Sequence, residues 1–198
     1  MPRISPREFE RLPLRVHRVL VDVPLHDVWG VDLPRTRPGI TLDEFLRATG
    51  GSPFRPAAVG RALLSIRFFV GRHLGWDREP GGPVSGSFAS RLTTADLSQT
   101  LMPVGARARR FRTVYRFENE QLLEISNRTV HGAALSALVE TGNGYRFYLA
   151  VYVRSVGRWT ALYMALIDPF RRVIIYPSLL RSVRATWNEV FGDPHDSD

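Results

Sequence analysis

The stretch from residue 110 to residue 154 constrains the fold of this chain more than any other part of it. It holds four runs rich in β-branched and aromatic residues, Arg110–Phe117, Gln121–His131, Ala134–Glu140 and Tyr145–Arg154, with only short breaks between them. Two of the breaks, "FENEQ" and "TGNG", have hairpin composition, and Gly142 and Gly144 are able to adopt positive φ. Breaks this short join neighbouring antiparallel strands, because a parallel pair needs a crossover of about a dozen residues or more. The stretch therefore predicts an antiparallel sheet. Such a sheet has an apolar face that another element must cover.

The cover is visible further along the chain. Tyr176, Leu180, Val183, Trp187 and Phe191 form one apolar stripe at helical spacing. Asp168–Pro169 reads as the N-cap and first helical position, and Pro177 is expected to kink or split this helix. A shorter helix over Trp159–Leu166 precedes it. Before the sheet, the spacing predicts a helix over Pro56–Leu74, a helical turn over Leu42–Ala48, a strand over Leu14–Val23 and another over Ser87–Leu92. "PLHDVWGVDL", 24–33, reads as a short helix or turn. Residues 1–13, basic and carrying three prolines, read as a loose arm, 14–191 as a single domain and 192–198 as a tail. Strand, helices, antiparallel strands and a long C-terminal helix give an α+β helix-grip layout, a curved antiparallel sheet packed around that helix.

Composition excludes several classes. Hydrophobic residues make up 44% and charged residues 23% of the 198, which fits one globular domain with a real core. No apolar run approaches the roughly 18 residues of a membrane helix. The first ten residues lack the apolar core of a signal peptide. With no cysteine there is no disulfide framework, and a cytoplasmic location is the default expectation. The net charge of +8 invites a nucleic-acid reading, but all 27 basic residues are arginine, a bias that a GC-rich genome produces without any phosphate ligand. In "GARARRFRTVYRF", 105–117, Arg110, Arg112 and Arg116 share one parity and Phe111, Tyr115 and Phe117 the other. That is the pattern of an amphipathic strand with its arginines outward.

The run Gln121–His131 carries polar residues where a strand should be apolar. Leu123, Ile125, Asn127, Thr129 and His131 share the parity read as inward, while Glu124 and Arg128 lie on the parity read as solvated. A buried Asn or His without a partner costs about 1–3 kcal/mol, so these side chains bond one another, bond water or line a wet pocket. The pocket reading gives seven ligand-binding candidates: Tyr115, Asn127, Thr129, His131, Phe147, Trp159 and Tyr163. His131 is the candidate general base. The five histidines show no metal-ligand spacing, and no nucleophile-elbow, phosphate-loop or dinucleotide motif is present, so neither metal nor cofactor is expected. Arg171 and Arg172 sit in the first turn of a helix where the dipole disfavours cations, so an ion pair with Glu or Asp is the first expectation and contact with an anionic ligand the second.

"NRTVHG" at 127–132, "YLAVYVRSVGRWTALYMALIDPFRRVIIYPSLL" at 148–180 and "RATWNEV" at 184–190 resemble the bacterial family called domain of unknown function 2867. That family is similar in outline to the START-like, polyketide-cyclase-like helix-grip proteins. The resemblance implies a cavity for an apolar or aromatic small molecule and brings no catalytic motif with it. A small-molecule binder is therefore the leading expectation. A cofactor-free cyclase or dehydratase using His131 in the same cavity comes second. An arginine-rich module binding nucleic acid without sequence specificity comes third.

Overall fold

The computed structural model describes residues 3–52, 86–108, 111–126, 130–155 and 171–192. Six strands, β1 (Leu25–Pro34), β2 (Arg107–Ala108), β3 (Phe111–Arg116), β4 (Glu120–Ser126), β5 (Val130–Thr141) and β6 (Gly144–Ser155), form one antiparallel sheet in the order β1-β6-β5-β4-β3-β2. Around it lie α1 (Pro6–Glu10), α2 (Val16–Val19), α3 (Leu42–Ala48), a 3₁₀ turn (Phe88–Arg91), α4 (Thr94–Gln99), a π turn (Arg171–Ile175) and α5 (Tyr176–Phe191). The expected helices Pro56–Leu74 and Trp159–Leu166, and the Asp168–Pro169 cap, lie outside the described residues.

The hairpin grammar of the sequence holds for β3 to β6. Gly144 opens β6 at φ +154°, where a Cβ would stand 2.4 Å from the Leu33 carbonyl oxygen, so only glycine fits. Two boundaries move. β4 ends at Ser126 and β5 starts at Val130, with Ser126 paired to His131, so His131 belongs to the next strand rather than to the end of the Gln121–His131 run. In β3 the register slips between Thr113 and Tyr115, a bulge that reverses parity within the strand. Arg116 consequently points inward, 6% exposed and paired with Asp43 at 2.8 Å, and is not the outward arginine expected.

The chain before the meander differs from expectation in four places. The run Leu14–Val23 holds the short helix α2, and "LHDVWGVDLP" is the edge strand β1, pairing with β6. The segment 87–92 holds the 3₁₀ turn rather than a strand. Residues 3–13 are no loose arm: Phe9 is fully buried, Ile4 nearly so, and the Ile4 N–H donates to the Val28 carbonyl at 3.1 Å.

The reason is a sheet covered on both faces. One face, with Val28, Leu122, Leu135, Ala137, Tyr148, Ala150 and Tyr152, packs against Ile4, Phe9, Val16, Val19, Leu20, Val23 and Phe88. The other, with Trp29, Val31, Leu33, Leu138, Phe147 and Leu149, packs against Leu42, Phe45 and Leu46 of α3 and against Tyr176, Leu180, Val183 and Trp187 of α5. The two are called here the N-terminal face and the helix face. The C-terminal stripe read from the sequence is the one buried, and the Trp187 indole donates to the Pro34 carbonyl at 3.1 Å. Pro177 sits in the first turn of α5, where its missing N–H costs nothing, and the wider π turn precedes it. The layout is helix-grip-like, with a second cover contributed by the N-terminus.

Candidate functional site

β1 carries the polar group that fits its surroundings least. Asp27 is in register with Val151 and shares the helix face with Trp29 and Val31. Its side chain is 0% exposed. Arg3 Nη2 comes within 3.2 Å of Oδ1, His26 Nε2 within 3.6 Å of Oδ2 and Arg172 Nε within 3.7 Å of Oδ1. Those are ion-pair distances, but among the described residues no donor meets either oxygen with hydrogen-bond geometry. Two residues on, the Trp29 ring lies 5.4 Å from that of Tyr176, and its buried indole N–H has no acceptor. Arg172 and Tyr176 stand one turn apart at the start of the C-terminal helical segment. Asp27 with Arg172 and Trp29 with Tyr176 thus form two successive rungs between β1 and that segment. The expected ion pairing of Arg172 is met by Asp27.

Buried acids on the N-terminal face have quite different surroundings. Glu124 accepts from the Phe88 N–H at 2.9 Å and from the Ser87 hydroxyl, and so caps the 3₁₀ turn. His131 Nε2 is 3.6 Å from Glu124 Oε2, and the imidazole stacks on the Phe88 ring at 4.1 Å. Burial pushes the Glu124 carboxyl up, but His131, Ser87 and the Phe88 N–H together outweigh it and hold the group below its ordinary value. Glu120 accepts from the Arg15 N–H at 2.7 Å and from the Tyr115 hydroxyl at 3.1 Å. There burial wins, and the Glu120 carboxyl is held above its ordinary value despite those bonds. Asp96 closes a capping box with Thr93 and pairs with Arg15 and Arg18. Burial opposes its ionisation, yet the Thr93 N–H and hydroxyl and the two guanidiniums hold it far below the usual carboxyl range. Glu120 and Glu124 fasten a short helix and a turn to the sheet, and Asp96 ties α4 to α2.

The sequence-predicted site residues do not gather in one place. Tyr115 and His131 lie on the N-terminal face, and Phe147 lies on the helix face. Both are buried, as is Phe147. Asn127, Thr129, Trp159 and Tyr163 lie outside the described residues. His131 therefore does not share a cavity with the C-terminal helix. The reason is its place on β5, whose odd positions 131, 133, 135 and 137 face the N-terminal segment. Asp27 and Trp29 were missed altogether. The signal that finds them is an aspartate sharing strand parity with Trp29, Val31 and Leu33, a charge in an otherwise apolar set.

Among the described residues no group of three His, Asp or Glu side chains is placed to hold a metal ion, and no helix is long and apolar enough to cross a membrane. Residues 19–178 match the family described as "Protein of unknown function (DUF2867)". No curated protein matches the chain, and no solved structure does.

Proposed function

The chain belongs to the DUF2867 family, and from that premise we propose that it binds a small apolar or aromatic molecule bearing a few polar atoms, held between β1 and the start of α5. The observation that carries this reading is Asp27, wholly buried, with neither oxygen hydrogen-bonded and with an open indole N–H two residues away. Each unsatisfied buried polar group costs about 1–3 kcal/mol, and native folds hold few of them. Two open groups of opposite kind side by side mark a place where a guest completes the bonding. The helix-grip-like layout supports the same location, since the resemblance to START-like proteins implies a ligand held between sheet and C-terminal helix.

A general-base role for His131 gains no support from its surroundings, where it is stacked on Phe88 and paired with a capping carboxylate. Nucleic acid, on this proposal, is bound only non-specifically. Tyr115 is fully buried and stacks on Phe117 at 4.7 Å, and Arg15 lies over the Phe117 ring, so this strand offers no free aromatic platform for bases. At physiological salt a Kd for duplex DNA of about 10⁻⁶ M or weaker is expected.

Native mass spectrometry of the purified chain tests the reading. A retained small molecule is expected in the wild type and not in Asp27→Leu. Equal retention by both would place the guest elsewhere and sink the proposal. So would a chain that carries no guest and whose melting temperature no member of a fragment collection raises.

A further inference from the structure

We infer that the group recognised at Asp27 and Trp29 is neutral and presents a hydrogen-bond donor beside an acceptor, as the edge of a cyclic amide does. The inference rests on the small-molecule reading above and specifies the chemistry of that same site. The two open atoms are opposite in kind: the Asp27 oxygens accept and the Trp29 indole N–H donates. Residues two apart on a strand project from the same face with their Cα atoms about 6–7 Å apart. Arg172 meets the first and Tyr176 the second from across the gap, so both open into the same strip between sheet and helix.

Charge then narrows the class. A cationic group brought to Asp27 would meet the guanidiniums of Arg3 and Arg172, already within 3.2 and 3.7 Å of Oδ1. An anionic group brought to the Trp29 indole would approach the buried, ion-paired Asp27. Either charge loses water on entering and gains an unfavourable neighbour. An ammonium offers donors alone and a carboxylate acceptors alone. A cyclic amide offers both at adjacent atoms without charge, and its flat ring suits a wall built from the Trp29 and Tyr176 rings.

The test titrates ¹⁵N-labelled full-length chain with 2-pyridone, a planar cyclic amide, and follows the indole N–H signals of its four tryptophans. The Trp29 signal is identified by its loss in Trp29→Phe. A saturable downfield shift of that signal is expected with 2-pyridone. N-methyl-2-pyridone, which keeps the acceptor and lacks the donor, should bind about tenfold more weakly, and Asp27→Leu should weaken 2-pyridone by about the same factor. Benzoate and benzylamine should bind more weakly than 2-pyridone. If either binds more tightly, or if N-methyl-2-pyridone matches the parent, the inference is overturned. If toluene shifts the Trp29 signal and 2-pyridone does no better, the site stands as an apolar pocket and the donor–acceptor inference alone fails. If no probe moves that signal, both the inference and the small-molecule reading fail. Should Asp27→Leu not fold, the wild-type probe series decides the matter by itself.

Discussion

Glu124 and Asp27 sit in the same sheet, on opposite faces, and both are almost wholly buried. Glu124 has a donor for each oxygen and lies below its ordinary pKa because those bonds outweigh its desolvation. Asp27 is flanked by two guanidiniums and an imidazole, yet among the described residues no hydrogen bond reaches it. Burial is common to the two acids; completion of the bonding is not. Among the described residues the same contrast divides two indoles of the helix face: Trp187 donates to Pro34, while Trp29 has no acceptor.

The largest effect that would sharpen this contrast belongs to Trp187. Its indole is fully buried against Phe45, Tyr145 and Phe191. Trp187→Ala should cost about 3–5 kcal/mol in urea melts; a loss below about 1 kcal/mol would mean that α5 does not close the helix face. Glu124→Ala comes next. It strands the Phe88 N–H and the Ser87 hydroxyl, so a loss of about 2–3 kcal/mol is expected. A neutral result would remove the structural half of the comparison.

Acidity gives a subtler measure. Glu124 and Asp96 are held below their unfolded values, so their stabilisation is complete above the ordinary carboxyl range and disappears as pH falls through their lowered folded values. Glu120 is held above its unfolded value, so its contribution has the opposite sign and stability falls as pH rises through that window. Melting temperature should therefore drop between about pH 5 and pH 2, Asp96→Asn should flatten that limb, and Glu120→Gln should steepen its upper end. An acid limb identical in all three proteins would show that these carboxyls do not govern it. The smallest effect is the one that isolates Asp27. Arg3 and Arg172 are both partly exposed and remain solvated without it, so Asp27→Asn should change stability by less than about 1 kcal/mol. A loss as large as that of Glu124→Ala would make Asp27 a structural acid and erase the difference between the faces.

The meander and the C-terminal stripe were legible in the sequence because each is a local pattern: period two with short turns, and period three to four around Trp187. β1 was not. Strands covered on both faces lose clean alternation, and "LHDVWGVDLP" carries a register slip after Leu25 as well as two acids. The run 14–23 looked like a strand from its β-branched residues, but Glu120, far away in sequence, accepts from the Arg15 N–H and turns it into a helix. His131 was assigned to the strand before its own, since "NRT" holds neither glycine nor proline to mark a break. Asp27 belongs to no motif; the sequence shows only a charge among apolar residues of one parity, and the state of its bonding appears only in the fold.

The pairing of β1 with β6 also sets an order of events during synthesis. Val28 is in register with Ala150, and the Arg15 N–H finds its acceptor at residue 120. The ribosome delivers these early residues long before anything exists for them to dock on. The β3–β6 hairpins, whose contacts are near neighbours in sequence, can close as they emerge, whereas the first thirty residues must wait. During that interval the apolar faces of Phe9 and Val16 and the open edge of β1 are exposed to the rest of the cell. The N-terminal cover is thus the last piece laid down by a chain that makes it first.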